Sequence, residues 1–387
     1  MNEVEKPIRL YFVDNIRILL TIVVIMHHTM ITYGASGSWY FKDPKTDEFT
    51  IILLSIIALL DQGFFMGLFF FISAYFVPGS YNRKGPVKFL KDRFIRLGIP
   101  LIIYTIIVGP LIKYFVNIEP TYGITFIEFY LSYFQSWELF GEFLGGNGPL
   151  WFVLALLIFD VFYTLWRQIN NGNFKNETEK KPPKNIQLVL VAILMAIFTF
   201  IIRLFFLVDG GDTFFNIQLC FVAQYIVMLI LGTIAYNRDW FRNIPNSQGK
   251  VWLIIVLILI ISLLPLGILL GAYGDDTEKF RGGLNWQAFI FNIWESFYCI
   301  GMCIGLVVLF RNKFNTQGNA SKSLSQNAYT MYIVHAPVLV FIAMLFSLIL
   351  MPALLKFIIV FPFVLGICFL ISHFILRRIP GSKKVLG

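Results

Sequence analysis

Apolar segments long enough to cross a bilayer recur along the whole chain, and short polar stretches separate them. Ten can be marked, at residues 12–33, 51–77, 94–116, 149–168, 186–207, 216–236, 250–272, 286–310, 326–349 and 352–376. A membrane-spanning helix needs about 20 predominantly apolar residues. The pattern therefore predicts an all-α, polytopic integral membrane protein with ten transmembrane helices, formed by a single domain over residues 1–387.

Composition and charge agree with this prediction. Hydrophobic residues make up 58% of the 387 residues, charged residues make up 14%, and the net charge is +9. A positive charge would suit nucleic acid, but the lysines and arginines concentrate in alternate flanks of the apolar segments, beginning before the first. The positive-inside rule assigns such flanks to the cytoplasm. The charge therefore predicts two cytoplasmic termini, with the lipid bilayer rather than nucleic acid as partner.

Two polar segments have distinct characters. The outward loop 117–148 lacks lysine and arginine but carries acidic and aromatic side chains, and its part 121–140 is half apolar. That part is predicted to be an amphipathic helix at the outer interface. These side chains suit a polyhydroxylated ligand, and so do those of the outward loop 34–50, which carries Trp39, Tyr40, Asp43, Asp47 and Glu48. An interfacial aromatic belt is the alternative. Segment 170–185 is rich in lysine, contains Pro182-Pro183 and is predicted to be a flexible cytoplasmic linker.

The first apolar segment carries ionisable residues that a bilayer disfavours. Asp14 and Arg17 lie near its start, and His27 and His28 lie deep in its second half. Ionisable groups inside a membrane helix are costly and usually functional. Arg17 and His28 are three helical turns apart, on one face and about 16 Å apart along the axis, and Asp14 lies one turn before Arg17. His28 suits a general base, and a packed, hydrogen-bonded histidine is the alternative.

Arg93 and Arg96 lie three residues apart at the start of the third apolar segment. On a regular helix this spacing predicts that both guanidinium groups point to the same side. Such a pair can bind phosphate groups bidentately. Ordinary positive-inside anchoring to lipid headgroups is the alternative.

Other ionisable residues also occur within the apolar segments. Glu295 is predicted either to pair with an arginine or to orient a histidine. His335 is followed by Pro337, which frees backbone carbonyl groups, and a structural role is the alternative for this histidine. Arg203 and Asp160 lie near helix ends and are expected to extend to the interface.

Five motifs in this order resemble the membrane acyltransferase-3 family, which includes O-acetyltransferases of surface polysaccharides and the succinyltransferase of periplasmic glucans. They are Arg-x10-His (Arg17, His28), Phe-Phe-Phe-Ile-Ser-Ala-Tyr-Phe (Phe69 to Phe76), Arg-x-x-Arg (Arg93, Arg96), Gly-Pro-Leu-Trp-Phe (Gly148 to Phe152) and Tyr-x-x-His-x-Pro (Tyr332, His335, Pro337). Each motif alone is unspecific, but the ordered set with ten helices covers essentially the whole chain. Ala74 stands where the family usually has glycine.

The resemblance implies acyl transfer from cytoplasmic acyl-CoA to a hydroxyl of a cell-surface or periplasmic glycan, in the bacterial cytoplasmic membrane. Acetyl-CoA is the expected donor and succinyl-CoA is the alternative. Arg17, Arg93 and Arg96 would bind the CoA phosphates, and a pantetheine arm about as long as the Arg17–His28 separation would bring the thioester near His28. No metal is expected, because the four cysteines lie in apolar segments without metal-ligand spacing.

These expectations give each candidate residue a role. His28 is predicted to be the general base, with Asp14 or Glu295 as a positioning group. A covalent acyl-histidine relay is the second mechanism. Oxyanion stabilisation is assigned to Ser73 or a helix amide. Substrate contact or structural support is assigned to Trp151, Tyr332 and His335.

A proton-coupled transporter or flippase, acting on a surface-glycan precursor or a small molecule, is the competing prediction. His28, Glu295 and Arg17 would form its proton relay. This function explains the buried charges equally well, but it does not explain a basic pair at the cytoplasmic end or the ordered motifs. The sequence leaves open the acyl group, the acceptor and the oligomeric state.

Overall fold

The computed structural model describes residues 9–117, 123–170, 181–269, 271 and 277–386. Ten helices in this part of the chain are long and apolar enough to span a membrane: Tyr11–Thr32, Glu48–Tyr75, Val77–Val116, Gly148–Ile169, Asn185–Arg203, Leu219–Asn237, Asn246–Leu269, Trp286–Lys313, Asn319–Ser347 and Ala353–Arg378. We call them the first to the tenth helix. They confirm the predicted all-α fold and the ten predicted segments. An even number of spans puts the two ends on one side, and the cytoplasmic identity of that side stays a prediction.

Short elements complete the described chain. Thr213–Phe214 and Ile217–Gln218 form a two-stranded antiparallel hairpin. The short helices are Phe126–Ser132, Trp137–Leu144, Trp240–Asn243, Thr277–Phe280 and Ser382–Leu386. The first two replace the single amphipathic helix predicted over 121–140, because Ser136 caps a new helix by accepting a hydrogen bond from the backbone N–H of Leu139. Residues 118–122 of the outward loop and 171–180 of the predicted linker lie outside the described residues.

The third helix begins well before its apolar segment. Its first part, Val77–Arg93, is rich in lysine and arginine and bends at Gly85, which has a φ of 72° and precedes Pro86. The rest contains two wide π-helical turns, Phe94–Gly98 and Tyr104–Val108. A search for apolar segments misses the first part because its residues are polar.

The second helix is interrupted near its middle. It consists of Glu48–Gln62 and Phe65–Tyr75, with the break at Gly63 and Phe64. The break leaves the Gly63 carbonyl without its helical partner, and the side-chain amide of Gln224 in the sixth helix donates to it at 2.9 Å. Further along, Gly232 of the sixth helix lies against Ala74, where a Cβ on Gly232 would collide with the second helix. Gly232 therefore accommodates the alanine that departs from the family pattern.

The first helix lies between two hydrophobic cores. Its Ile16 and Leu20 belong to the larger core, which the second, sixth and eighth helices also line. Its Ile25 and Met30 belong to a smaller core shared with the ninth and tenth helices. The first helix also packs directly against the ninth helix. This position places the residues on its Arg17–His28 face within the bundle.

Candidate active site

His28 of the first helix meets His335 of the ninth helix. Nδ1 of His28 lies 2.9 Å from Nε2 of His335. Nδ1 of His335 lies 2.6 Å from the backbone carbonyl oxygen of Tyr332. A carbonyl oxygen can only accept, so the hydrogen-bond network assigns the proton of His335 to Nδ1 and makes its Nε2 the acceptor. His28 then donates from Nδ1, and its own Nε2 keeps a free lone pair, as a general base requires.

The ninth helix is held in register for this contact. The Tyr332 hydroxyl donates to the carbonyl oxygen of Pro149 at the start of the fourth helix. Tyr332 lies one turn before His335, so the contact fixes the turn that carries the histidine. This geometry agrees with the support role predicted for Tyr332 and makes His335 the direct partner of His28.

The loop between the first and second helices covers the histidine pair. The indole ring of Trp39 stacks on the His28 imidazole, with 4.0 Å between ring centroids and an interplanar angle of 14°. The hydroxyls of Tyr40 and Tyr104 lie 3.5 Å apart beside it. Burial raises the pKa of Tyr40 to about 12, so its phenol stays neutral. Sequence analysis placed Trp39 in an outward loop suited to a sugar ligand but predicted no contact between it and His28.

A buried ion pair holds this loop in place. Nζ of Lys356 in the tenth helix lies 2.6 Å from Oδ2 of Asp43, and both side chains are fully buried. The backbone N–H of Asp43 also donates to the Thr32 carbonyl at 2.8 Å. Because Asp43 and Trp39 belong to the same short loop, the ion pair fixes the position of the indole over His28.

Removing one charge of this pair is expected to destabilise the protein. Asp43→Asn or Lys356→Met would leave the other charge buried and unpaired, which costs about 3–5 kcal/mol of unfolding free energy. The double variant leaves neither charge and should lose less than the two single variants combined. Thermal unfolding of the purified protein measures these changes, and an unchanged melting temperature for Asp43→Asn would contradict the assignment.

Arg17 and Asp14 lie together at the opposite end of the stripe. The Asp14 carboxylate lies 2.8 Å from Nε of Arg9 and 3.4 Å from Nη1 of Arg17. The Arg17 guanidinium also lies over the ring of Phe76, 4.9 Å from its centroid. Asp14 therefore orients Arg17, and it lies about four turns from His28 along the helix, too far to position that histidine as predicted.

Ser73 also belongs to this end of the site. It lies one turn before Phe76, the residue that contacts Arg17, and so lies far from His28. The structure therefore does not bring Ser73 to the position required for an oxyanion donor.

Arg93 and Arg96 do not point to the same side, which makes the predicted geometry wrong. Nε of Arg93 lies 3.2 Å from Oδ2 of Asp160 in the fourth helix, whereas the Arg96 guanidinium lies over the ring of Tyr329 in the ninth. The reason is the π-helical turn that contains Arg96, because its wider winding rotates residues three apart further from one another than an α-helix does. The charges of Arg93 and Arg96 still act on Arg17, so the three arginines form one basic cluster.

Glu295 pairs with an arginine and does not orient a histidine. Its Oε2 lies 2.8 Å from Nη1 of Arg203, which also donates to Oδ1 of Asn292 at 2.6 Å. Arg203 is fully buried and Asp160 is 2% exposed, so neither extends to the interface as predicted. Each side chain instead pairs with a residue of opposite charge, Arg203 with Glu295 and Asp160 with Arg93.

Trp151 lies among aromatic residues and not directly at His28. Its ring stacks on Tyr225, with 5.3 Å between the centroids. A histidine–aspartate pair that sequence analysis did not identify lies beside the site. Nδ1 of His27 and Oδ2 of Asp61 are 4.0 Å apart. Within the described residues, no group of three or more histidine, cysteine or acidic side chains could hold a metal ion.

The architecture defines a polytopic membrane protein in which one helix carries both His28 and Arg17, a member of the basic cluster. A family model described as an acyltransferase domain matches residues 10–373. The chain therefore belongs to the acyltransferase-3 family, which confirms the resemblance in its motifs and the predicted enzyme class.

Curated relatives agree with this family. The glucans biosynthesis protein C of Salmonella paratyphi B is 27% identical over 251 residues, and those of Shigella dysenteriae serotype 1 and Escherichia coli K12 are 26% and 24% identical over 246 residues. Each alignment covers 61% of this chain and 60% of the relative. The chain thus spans about three fifths of the length of the curated relatives it matches. No solved structure gives a significant match.

Proposed function

We propose that the protein transfers an acyl group, acetyl in first place, from cytoplasmic acyl-CoA to a hydroxyl of an extracytoplasmic glycan, in the bacterial cytoplasmic membrane. The observation that carries the proposal is the acceptor nitrogen Nε2 of His28, which shares a helix face with Arg17 of the basic cluster, about 16 Å away along the axis. The names of the relatives, which concern glucan biosynthesis, support a glycan acceptor.

The donor would bind by its phosphates at one end of this face. Arg17 and Arg96 are the principal ligands, because the Arg93 charge is already balanced by buried Asp160. Arginine binds phosphate oxygens bidentately, which fixes the orientation of the CoA head. The pantetheine arm then follows the first helix, so the thioester carbonyl comes to lie beside His28.

Transfer needs one proton acceptor and one proton donor, and His28 serves as both. Nε2 accepts the proton of the acceptor hydroxyl while the hydroxyl oxygen attacks the thioester carbonyl carbon. The carbon–sulfur bond then breaks, and the departing sulfur takes the proton from Nε2 as free CoA thiol. His335 acts as a positioning residue, because its hydrogen bond at Nδ1 of His28 holds the imidazole in the required tautomer.

The acyl-histidine relay uses the same free nitrogen as a nucleophile. Nε2 would attack the thioester, CoA would leave, and the acceptor hydroxyl would then attack the acyl-imidazole. Rapid acid quenching of the enzyme with labelled acetyl-CoA and no acceptor tests this variant. Label bound covalently in wild type but absent in His28→Ala would favour it over direct transfer.

The transporter alternative needs a continuous relay between His28 and Glu295. In the described chain the Glu295 carboxylate contacts Arg203, and the direct partner of His28 is His335. The predicted relay through His28, Glu295 and Arg17 therefore lacks a contact between His28 and Glu295. This favours acyl transfer.

Release of free thiol from acyl-CoA tests the proposed function. The purified protein in nanodiscs is expected to cleave acetyl-CoA, faster when neutral glucan oligosaccharides are present, with succinyl-CoA as the comparison. Folded protein that cleaves neither donor, with or without the oligosaccharides, would contradict the proposal and favour a transporter.

A further inference from the structure

A layer of neutral, hydrogen-bonding side chains covers the histidine pair on the side away from the arginines. Trp39 stacks on His28, and the Tyr40 ring lies 5.3 Å from the Trp39 ring. The Tyr40 hydroxyl reaches that of Tyr104 in the third helix at 3.5 Å, a long distance for a hydrogen bond between hydroxyls. These contacts join the first loop to the third helix directly above the proposed base.

The start of the fourth helix completes the layer. Gly148 has a φ of 49°, and a Cβ at this position would collide with the Tyr40 hydroxyl. Glycine therefore allows both the backbone conformation and the close approach of the phenol. Asn147, the preceding residue, is 1% exposed. Its amide nitrogen donates to the Phe215 carbonyl at 2.8 Å, which fixes the amide orientation.

Two polar atoms of this layer are buried without a hydrogen-bond partner among the described residues. One is the indole N–H of Trp39, a donor, and the other is Oδ1 of Asn147, an acceptor. An unsatisfied buried donor or acceptor is costly, and native proteins seldom keep one without a reason. A hydroxyl group can accept from the first atom and donate to the second, so hydroxyls are the complementary ligand groups.

The charge of the layer further restricts the class of ligand that it can bind. Trp39, Tyr40, Tyr104 and Asn147 are all neutral, and the charges of Asp43 and Lys356 in the same region balance each other at 2.6 Å. An anionic ligand would lose its hydration here without gaining a counter-charge. An uncharged ligand with several hydroxyls loses less hydration free energy and can form hydrogen bonds with the polar side chains of the layer.

We propose that Trp39, Tyr40, Tyr104 and Asn147 form the acceptor subsite, and that it takes an uncharged polyol such as a neutral sugar residue. One hydroxyl of the sugar lies at Nε2 of His28 for acylation, and neighbouring hydroxyls bind the indole N–H, the asparagine oxygen and the Tyr40 hydroxyl. The inference rests on the proposed function, because it assigns the second substrate of that reaction.

Variants that remove one polar atom and keep an aromatic side chain test the subsite. Trp39→Phe and Tyr40→Phe are assayed with acetyl-CoA and methyl β-glucoside, and each is expected to raise the KM for the glucoside about 3- to 10-fold, as the loss of one hydrogen bond implies. The affinity for CoA, measured separately by calorimetry, reports on the distant arginine cluster and should change far less. Wild type should prefer methyl β-glucoside to methyl β-glucuronide, which has the same ring with a carboxylate.

Trp240→Phe is the matched control. Its indole N–H is also buried without a partner among the described residues, but it belongs to the short helix Trp240–Asn243, away from the histidine pair. This variant should leave the KM for the glucoside unchanged. Trp39→Phe should lower the melting temperature no more than Trp240→Phe does, because both variants lose the same part of an indole ring and an N–H without a protein partner among the described residues.

The outcomes separate this inference from the proposed function. A wild-type protein that cleaves no acyl-CoA would contradict the proposed function itself. Acyl-CoA cleavage without transfer to the glucoside, a preference for the glucuronide, or an unchanged KM in both Trp39→Phe and Tyr40→Phe would each overturn the acceptor subsite alone.

Discussion

Replacing His28 with alanine is expected to lower kcat for acyl transfer about 10³-fold, within the range that general acid–base catalysis contributes. The free Nε2 of His28 is the group that takes the acceptor proton, and alanine offers no substitute for it. CoA affinity should be nearly retained, because Arg17 lies three turns away on the first helix and Arg96 lies beside it on the third. Thiol release and ester formation by the purified variant, beside its CoA affinity, measure the effect.

His335→Gln should have a smaller effect of a different kind. The variant replaces the imidazole acceptor by a flexible amide that can either accept from or donate to Nδ1 of His28, so it no longer enforces one tautomer, and both kcat and its dependence on pH are expected to change. His373→Gln is the matched control, since the imidazole of His373 in the tenth helix contacts Asn327 of the ninth helix and takes no part in the site. Full transfer activity in folded His28→Ala would contradict the mechanism.

Replacing Arg17 or Arg96 should weaken donor binding more than replacing Arg93. Arg96→Gln and Arg17→Gln are each expected to weaken CoA binding at least tenfold, because a hydrogen bond to a charged group contributes about 1.5–3 kcal/mol. In the described chain Arg96 makes no ion pair, and the Arg17 side chain is 41% exposed, so both can accept a phosphate. Calorimetric titration with CoA at two salt concentrations measures the change.

Arg93→Gln is the informative comparison for these variants. It would leave the Asp160 carboxylate buried without its cation, so its main expected effect is a lower melting temperature rather than weaker binding. The double variant Arg93→Gln/Asp160→Asn should recover part of that stability. Lys88→Gln controls for the general positive charge of this side. Equal loss of affinity in all these variants would contradict a specific phosphate site at Arg17 and Arg96.

The helices were predictable because membrane insertion leaves a direct trace in the sequence. Each span needs a long apolar segment, and all ten segments carry one. The early start of the third helix was not predictable in this way, because Val77–Arg93 is basic and polar. The Arg17–His28 stripe was also predictable, since it depends only on the helical repeat within one element.

Contacts between distant elements left no such trace. His28 and His335 are 307 positions apart, and only the packing of the first helix on the ninth brings them to 2.9 Å. Arg93 and Arg96 were placed on one side by assuming a regular helix, and a π-helical turn separates them. Glu295 was a plausible partner for a histidine, but the buried arginine beside it takes the carboxylate.

The central claim is that an acyl group from CoA at the arginine end emerges as an ester beyond the histidine pair. Reconstituted vesicles test it directly, with labelled acetyl-CoA outside only and neutral acceptors, glucan oligosaccharides and methyl β-glucoside, on both sides. Acetyl-CoA does not cross the bilayer, so our account predicts labelled ester inside the vesicles with wild type and almost none with His28→Ala. Labelled ester formed only on the side that holds the acetyl-CoA would contradict this account. The absence of labelled ester on both sides, with protein that binds acetyl-CoA, would contradict it as well.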